Sequence, residues 1–313
     1  MKSRYNLTQL GVLLAVLSAT GFSLKAIFVK QAYMIAPIEP ITLLSLRMIF
    51  ALPFFLLISL HGLKSFHRLS FKEVFLLSCL GVAGYYAASI LDFMGLEYIS
   101  AGLERIILFS YPILTIFMGV IFLGQSFEKR LIPPILLTTL GVLFACISDL
   151  SVNENNQEII WGIFLIAGSA ISYAFYQAFS EPMIKKLGSK QFSVLAMLVS
   201  ILAVELHFFI QLPVSNLVQP MEIYTLCFMM ALFSTVLPVF LQSSAIKYIG
   251  AARVVLISTI GPALTIIFGW LILDEPITML QIIGMVLVLA GVLTLKAKRK
   301  VVAAESKVVN AKP

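Results

Sequence analysis

From residue 7 to residue 296 the chain is almost continuously apolar, broken at short intervals by one or two charges, a proline or a glycine. A helix needs about 20 mostly apolar residues to cross the hydrocarbon core of a bilayer. Ten runs of that kind follow one another: 7–32, 41–60, 72–91, 102–123, 131–147, 159–182, 192–212, 223–241, 253–273 and 278–296. The connections are short and punctuated, as at Ala36-Pro37, 153–157, Leu212-Pro213 and Glu275-Pro276, and leave no room for a folded water-soluble domain. Only 12% of residues are charged and 60% are hydrophobic, with a mean hydropathy of +1.02; a soluble domain carries about twice that charge. The expected fold is an all-α polytopic membrane protein of ten transmembrane helices, with the lipid bilayer as its first partner.

The formal net charge is +7, but the basic residues sit in short loops and at the C-terminus, where the positive-inside rule accounts for them and no nucleic-acid partner is needed. Lys2 and Arg4 precede span one, and Lys64, Arg68 and Lys72 lie between spans two and three. Lys129 and Arg130 lie between four and five, Lys185, Lys186 and Lys190 between six and seven, and Lys247 and Arg253 between eight and nine. Lys296, Lys298, Arg299 and Lys300 follow span ten. The alternate loops carry Glu39, Asp149, Glu154, Glu158, Glu222, Asp274 and Glu275, with Lys30 the main exception. This pattern puts both termini in the cytoplasm of a cell with the chain in its inner membrane, and residues 297–313 read as a basic, disordered cytoplasmic tail. The first span has a basic lead and a small-residue stretch at Ser18-Ala19-Thr20, as a signal peptide would, but its apolar character continues to Ala32, and it is read as a retained span.

Shifted along itself, the sequence repeats. Tyr98-Ile99 meets Tyr248-Ile249, Pro112 meets Pro262, Leu114-Thr115-Ile116 meets Leu264-Thr265-Ile266, Gly119 meets Gly269, and Gly141-Val142-Leu143 meets Gly291-Val292-Leu293, without a gap. Residues 1–150 and 151–296 thus read as two repeats of five spans each. Five is odd, so the second repeat enters the membrane upside down relative to the first. The charges agree: Glu97 meets Lys247, and Lys129-Arg130 meets Met279-Leu280. Inverted repeats enclosing a midplane site are a transporter architecture; a duplicated but inert bundle is the plainer alternative.

Ser110-Tyr111-Pro112 through Phe122-Leu123-Gly124-Gln125, and Gly261-Pro262 through Leu271-Ile272-Leu273-Asp274-Glu275-Pro276, resemble the marks that close each half of the EamA-like group in the drug/metabolite transporter superfamily. The resemblance covers nearly all of 7–296. It implies ten helices, a small-molecule solute carried across the membrane, and an acid at the end of the marked helix. Glu275 supplies that acid in the second half, whereas Gln125 replaces it in the first. Arg47 matches a common arginine of the group. Members differ in solute, among them amino acids, other metabolites and drugs, so the resemblance names none.

Ionisable residues inside spans are functional candidates, because lipid penalises them. Lys25 lies in span one, on a face shared with Ser18 and Gly21. Arg47 in span two stands at a similar depth, roughly 10 Å below the outer surface. Asp92 follows Gly81, Tyr85 and Ala88 along one face of span three, and Glu104-Arg105 open span four. These five charges predict a polar cluster in the outer half of the first repeat. Either Lys25, Arg47 and Arg105 attract an anionic or carboxylate-bearing solute while Asp92 or Glu104 exchanges a proton, or the acids neutralise the bases and lock the helices. Arg47 suits the second role best, through a bidentate carboxylate pairing. In span six Ser169, Ser172, Tyr173, Tyr176, Gln177 and Ser180 form one small and polar stripe, open to a wet cavity or to helix packing. Thr235, Pro238 and Gln242 share a face in span eight, with Gln242 where the first repeat has Asp92. Glu205 and His207 point to different faces of span seven, His207 being read as a snorkelling interfacial residue.

The residues assigned to solute binding are therefore Lys25, Arg47, Asp92, Tyr173, Tyr176, Gln177 and Gln242, with Asp92 and Glu104 for proton exchange. Pro112 and Pro262 each interrupt a helix and are assigned as hinges or fixed kinks. Phosphate-loop, HExxH, GxSxG and metal-cluster patterns are missing, as is any CxxC among Cys79, Cys146 and Cys227, so no cofactor, metal or enzymatic role is expected. The reading is a secondary carrier for a small metabolite, in the efflux direction and proton-coupled; a membrane enzyme and a non-transporting sensor or assembly factor are the alternatives. The sequence sets no oligomeric state, a monomer included.

Overall fold

A computed structural model describes residues 2–62, 69–127, 129–152 and 155–309, and among them every regular element is a helix. Lys64, Arg68 and Glu154, used above to set orientation, fall outside the described residues. Among the described residues, nine helical stretches are long and apolar enough to cross a bilayer: Leu7–Ile35, Pro40–Leu57, Phe71–Leu96, Ala101–Leu123, Ile132–Val152, Asn156–Phe179, Gln191–Gln211, Met221–Ile249 and Leu256–Leu273. The tenth apolar helix, Met279–Thr294, is shorter and forms the first part of a continuous helix, Met279–Val309. That helix corrects the expected disordered tail. Alanine and lysine recur through the stretch after Lys296 and favour the helix, and no glycine or proline stops it before Pro313.

The two halves carry the same irregularities in the same register. Span three holds a π-helical turn at Val82–Ala87, and span eight holds one at Leu232–Val236; position 82 meets 232 in the repeat. Span four is split into Ala101–Leu108 and Tyr111–Leu123, and span nine into Ala251–Ser258 and Gly261–Leu273. Pro112 and Pro262 sit in the first turn of the second piece in each case, not inside a running helix as the sequence suggested. A proline there gives up an N–H that has no intrahelical acceptor anyway, so it begins a helix rather than breaking one. Duplicated π-turns and helix breaks at matched positions are the fold's own record of two five-helix repeats.

Span one runs through the middle, against spans eight and nine of the second repeat. Spans one, two, three, seven and eight share the largest apolar core, with Ile27, Leu43, Met48, Phe93 and Phe208 fully enclosed. Spans five and ten cross closely: a Cβ on Gly141 would lie 2.6 Å from the Gly284 carbonyl oxygen, and one on Gly284 would lie 2.6 Å from that of Gly141. Small residues at a crossing let helix backbones touch inside lipid. Large apolar side chains on the outer faces, such as Phe164, Leu202, Phe209 and Ile210, remain exposed to what must be lipid.

Candidate functional site

Lys25 is the hub of the charged residues. Its Nζ lies 2.7 Å from Asp92 Oδ2 and 3.3 Å from Glu104 Oε1. Asp92 is 1% exposed and Glu104 is fully buried. One ammonium thus gathers both carboxyl groups. Arg105 closes the other side of Glu104, with Nε 3.8 Å from Oε2. Its guanidinium also donates to Thr265 Oγ1 at 3.2 Å and to the Phe22 carbonyl. Thr265 belongs to the broken span nine of the second repeat, and its hydroxyl reaches the Ser23 carbonyl at 3.3 Å. Ser23 in turn donates to the Gly261 carbonyl at 3.1 Å. A cluster built on spans one, three and four therefore leans directly on the break in span nine.

Arg47 stays outside this network. Its guanidinium stacks over Phe93, 5.2 Å from the ring centroid, and no carboxylate stands within 4.0 Å of it among the described residues. The expected bidentate pairing is thus missing, because Lys25 occupies Asp92 from the other side.

The span-six stripe divides into two kinds of residue. Ser169 donates to the Ala88 carbonyl at 2.7 Å, and Ser172 donates to the Ala83 carbonyl at 2.8 Å. They thereby add a side-chain donor to carbonyls in and just after the π-turn of span three, the Ala83 carbonyl accepting from the Ala88 N–H as well. Tyr176 is packed: it stacks on Phe192 at 5.7 Å, meets Tyr85 hydroxyl to hydroxyl at 3.1 Å, and covers Gly84, where a Cβ would run into its ring. Tyr173 stacks on Tyr176 and meets the edge of Tyr111, and Gln177 Nε2 donates to its hydroxyl at 2.8 Å. Tyr173 and Gln177 keep partial exposure. Ser18 donates to the Pro238 carbonyl at 2.8 Å, and Gly21 abuts the Pro238 ring, so those two residues pack span one on span eight. Gln242, one turn along from Pro238, is half-buried. His207 bonds the Tyr86 hydroxyl through Nδ1 at 2.9 Å, a packed rather than a snorkelling histidine.

A second polar constellation lies at the face opposite the chain termini, around a cavity of about 310 Å3. Both oxygens of Glu275 accept from the Ala101 N–H, at 3.0 and 3.1 Å. Asp149 accepts from the N–H and hydroxyl of Ser100, both at 2.9 Å. Ser100 Oγ accepts from Leu103 N–H and caps the helix that starts at Ala101. Lys30 donates to the Ile99 carbonyl at 2.8 Å and lies 3.8 Å from Glu275 Oε1. Burial pushes the Glu275 carboxyl above its ordinary range, against the pull of Lys30 and the backbone N–H groups. Of these residues the sequence had singled out Glu275 by resemblance only. Lys30, a lone base among acidic loops, was the signal that an acid waited for it.

Comparison with known proteins agrees with this architecture. The model of the EamA-like transporter family matches residues 9–147 and again 160–296. The chain is 30% identical over 286 residues to the uncharacterized transporter YcbK of Bacillus subtilis, covering 88% of both chains. It is 30% identical over 108 residues, 33% of its length, to UDP-galactose translocator 1 of Caenorhabditis elegans. A solved crystal structure superposes with a TM-score of 0.60 at 15% identity, covering 94% of this chain and 98% of the other, which speaks for the fold alone. With the family matching each half in turn, and the helices arranged as two inverted five-helix repeats, the chain belongs to the EamA-like transporter family.

Proposed function

We propose that the chain is a secondary carrier of the inner membrane, both termini cytoplasmic, that exports a small metabolite by alternating access and exchanges a proton at Asp92 and Glu104. Residues 1–150 and 151–296 are the two moving halves in this reading. One observation carries it: a single lysine is shared by two buried carboxylates at the break of the opposite repeat's span nine. A proton arriving at either carboxylate removes half of what holds Lys25, and the released lysine and the broken helix can then shift together. The constellation at the opposite face supports the same cycle, since Glu275 of one repeat grips the helix start of the other and must let go for that face to open. Tyr173, Gln177 and Gln242, half-buried on spans six and eight, are the side chains left to meet the solute from the second repeat.

The test begins with metabolite profiles of deletion and overexpression cells and continues with flux of the altered compound in proteoliposomes under an imposed pH gradient. Flux with accompanying proton movement is expected, and Asp92→Asn or Glu104→Gln should uncouple the two. Full coupled flux in both Lys25→Ala and Asp92→Asn would sink the reading.

A further inference from the structure

Among the described residues, not every charge inside the spans has an ion-pair partner: Glu205 is held by the Ser45 hydroxyl instead, and Arg47 by no acid. Lys25 and Arg105 are matched by Asp92 and Glu104, one base for each acid. Arg47 is left over. It is 5% exposed, its Nε has no hydrogen-bond partner, and Asp92 acts on it only from beyond ion-pair distance. Arginine keeps its proton under all ordinary conditions. A buried guanidinium without an anion costs several kcal/mol, and lipid offers no water to make up the loss.

The surroundings of Arg47 belong to both repeats. Span two packs against spans seven and eight. Ser45, two residues before Arg47, donates to Glu205 Oε2 of span seven at 2.7 Å. Cys227 of span eight reaches the Leu43 carbonyl one turn away. The guanidinium carbon sits over the Phe93 ring at 5.2 Å, a contact that uses the cation but none of its N–H donors, so the planar fork of donors is left as the part able to bind. That fork matches a carboxylate or phosphate two bonds at a time.

We infer that Arg47 is the anchor for the negative group of the solute, so that the carried compound is an organic anion bound through a carboxylate or phosphate between the two repeats. This rests on the carrier reading above and names its substrate class. The solute supplies the counter-charge that the protein withholds. Without it the site is strained by its own charge, and with it the fifth charge of the cluster is paired.

The test uses purified full-length protein in detergent and follows thermal unfolding against potassium salts of lactate, succinate, citrate, inorganic phosphate and glycerol phosphate. Potassium chloride at equal ionic strength is the reference, and the amines putrescine and choline form the counter-series. At least one anion should raise the melting temperature saturably, and Arg47→Gln should weaken that anion roughly tenfold or more, the loss of one or two charged hydrogen bonds. Arg47→Lys keeps the charge but loses the fork, and should fall between. An anion that binds wild type and Arg47→Gln equally overturns the inference, as does a wild type that answers to amines alone or to nothing. If neither variant folds, the wild-type series decides on the same terms. Proton-coupled amine flux would leave the carrier standing and remove only the anion.

Discussion

Glu275, on the loop after span nine, holds the Ala101 N–H between its two carboxylate oxygens at 3.0 and 3.1 Å, and so ties the second repeat to the first turn of span four. At the matched position of the first repeat stands Gln125, and each side chain also lies against the matched glycine of its own helix, Gln125 on Gly119 and Glu275 on Gly269. The two repeats therefore place different chemistry, an amide and a carboxylate, at the same point of the fold.

Removing the acceptor at this helix start should free the far face. An N-terminal cap is worth roughly 0.5–2 kcal/mol, enough to shift a two-state gate several-fold toward opening. With Cys79, Cys146 and Cys227 replaced, spin labels at Met34→Cys and Ile277→Cys, both exposed, bracket the cavity from the two repeats. Glu275→Ala should lengthen their separation, whereas Glu275→Gln, whose amide oxygen still accepts, should not. An unchanged distribution in Glu275→Ala would show that the contact is no gate.

Acid should tighten the same closure. In the closed form burial holds the Glu275 carboxyl above its ordinary range; once the face opens, water restores the ordinary value. The closed form therefore binds the proton more tightly, and lowering the pH through the interval between the two values favours closure. Lys30, Asp149 and Asp274 share the cavity, so the control is Glu275→Gln. Between neutrality and about pH 5 the label distance should shorten in the parent and stay flat in Glu275→Gln. Equal slopes in both would assign the effect to a neighbour.

Lys25 gives a test of stability that needs no solute. Lys25→Met strands Asp92 and Glu104, two buried carboxyls gathered on one ammonium. Breaking a buried pair costs about 3–5 kcal/mol, read as a lower midpoint in detergent or denaturant unfolding. Adding Asp92→Asn to Lys25→Met should recover part of that loss. Strict additivity of the two changes would mean that the residues do not interact.

The spans, the repeat and the grouping of Lys25, Asp92 and Glu104 could be read from the sequence because each follows from hydropathy, register and depth, which are local or periodic properties. The π-turns at Val82–Ala87 and Leu232–Val236 could not, since nothing in those segments differs in composition from regular helix. The pairing choices could not either. Depth put Arg47 and Asp92 in one zone, but only the helix rotations decide that Lys25 takes the carboxylate and Arg47 takes the Phe93 ring. On sequence the span-six stripe is open to a cavity or to packing, and its serines Ser169 and Ser172 take the packing role by serving carbonyls of span three, partners that sequence periodicity does not name.

The crossing of spans five and ten offers the sharpest packing test. Gly141 and Gly284 face each other backbone to backbone, and a methyl group on either meets a carbonyl oxygen that cannot rotate away. Gly168 in span six is different: the nearest atom to an added Cβ is the end of the Leu91 side chain, 3.3 Å away and free to shift. Helix propensity favours alanine over glycine at both sites by roughly 0.5–1 kcal/mol. At Gly141 that gain should be outweighed by an overpacking cost of about 1–3 kcal/mol, and at Gly168 it should not. Gly141→Ala is therefore expected to lower the unfolding midpoint and Gly168→Ala to leave it unchanged or raise it. If both substitutions stabilise, the two helices do not cross as closely as their glycines allow, and the five–ten contact does not hold the second repeat to the first.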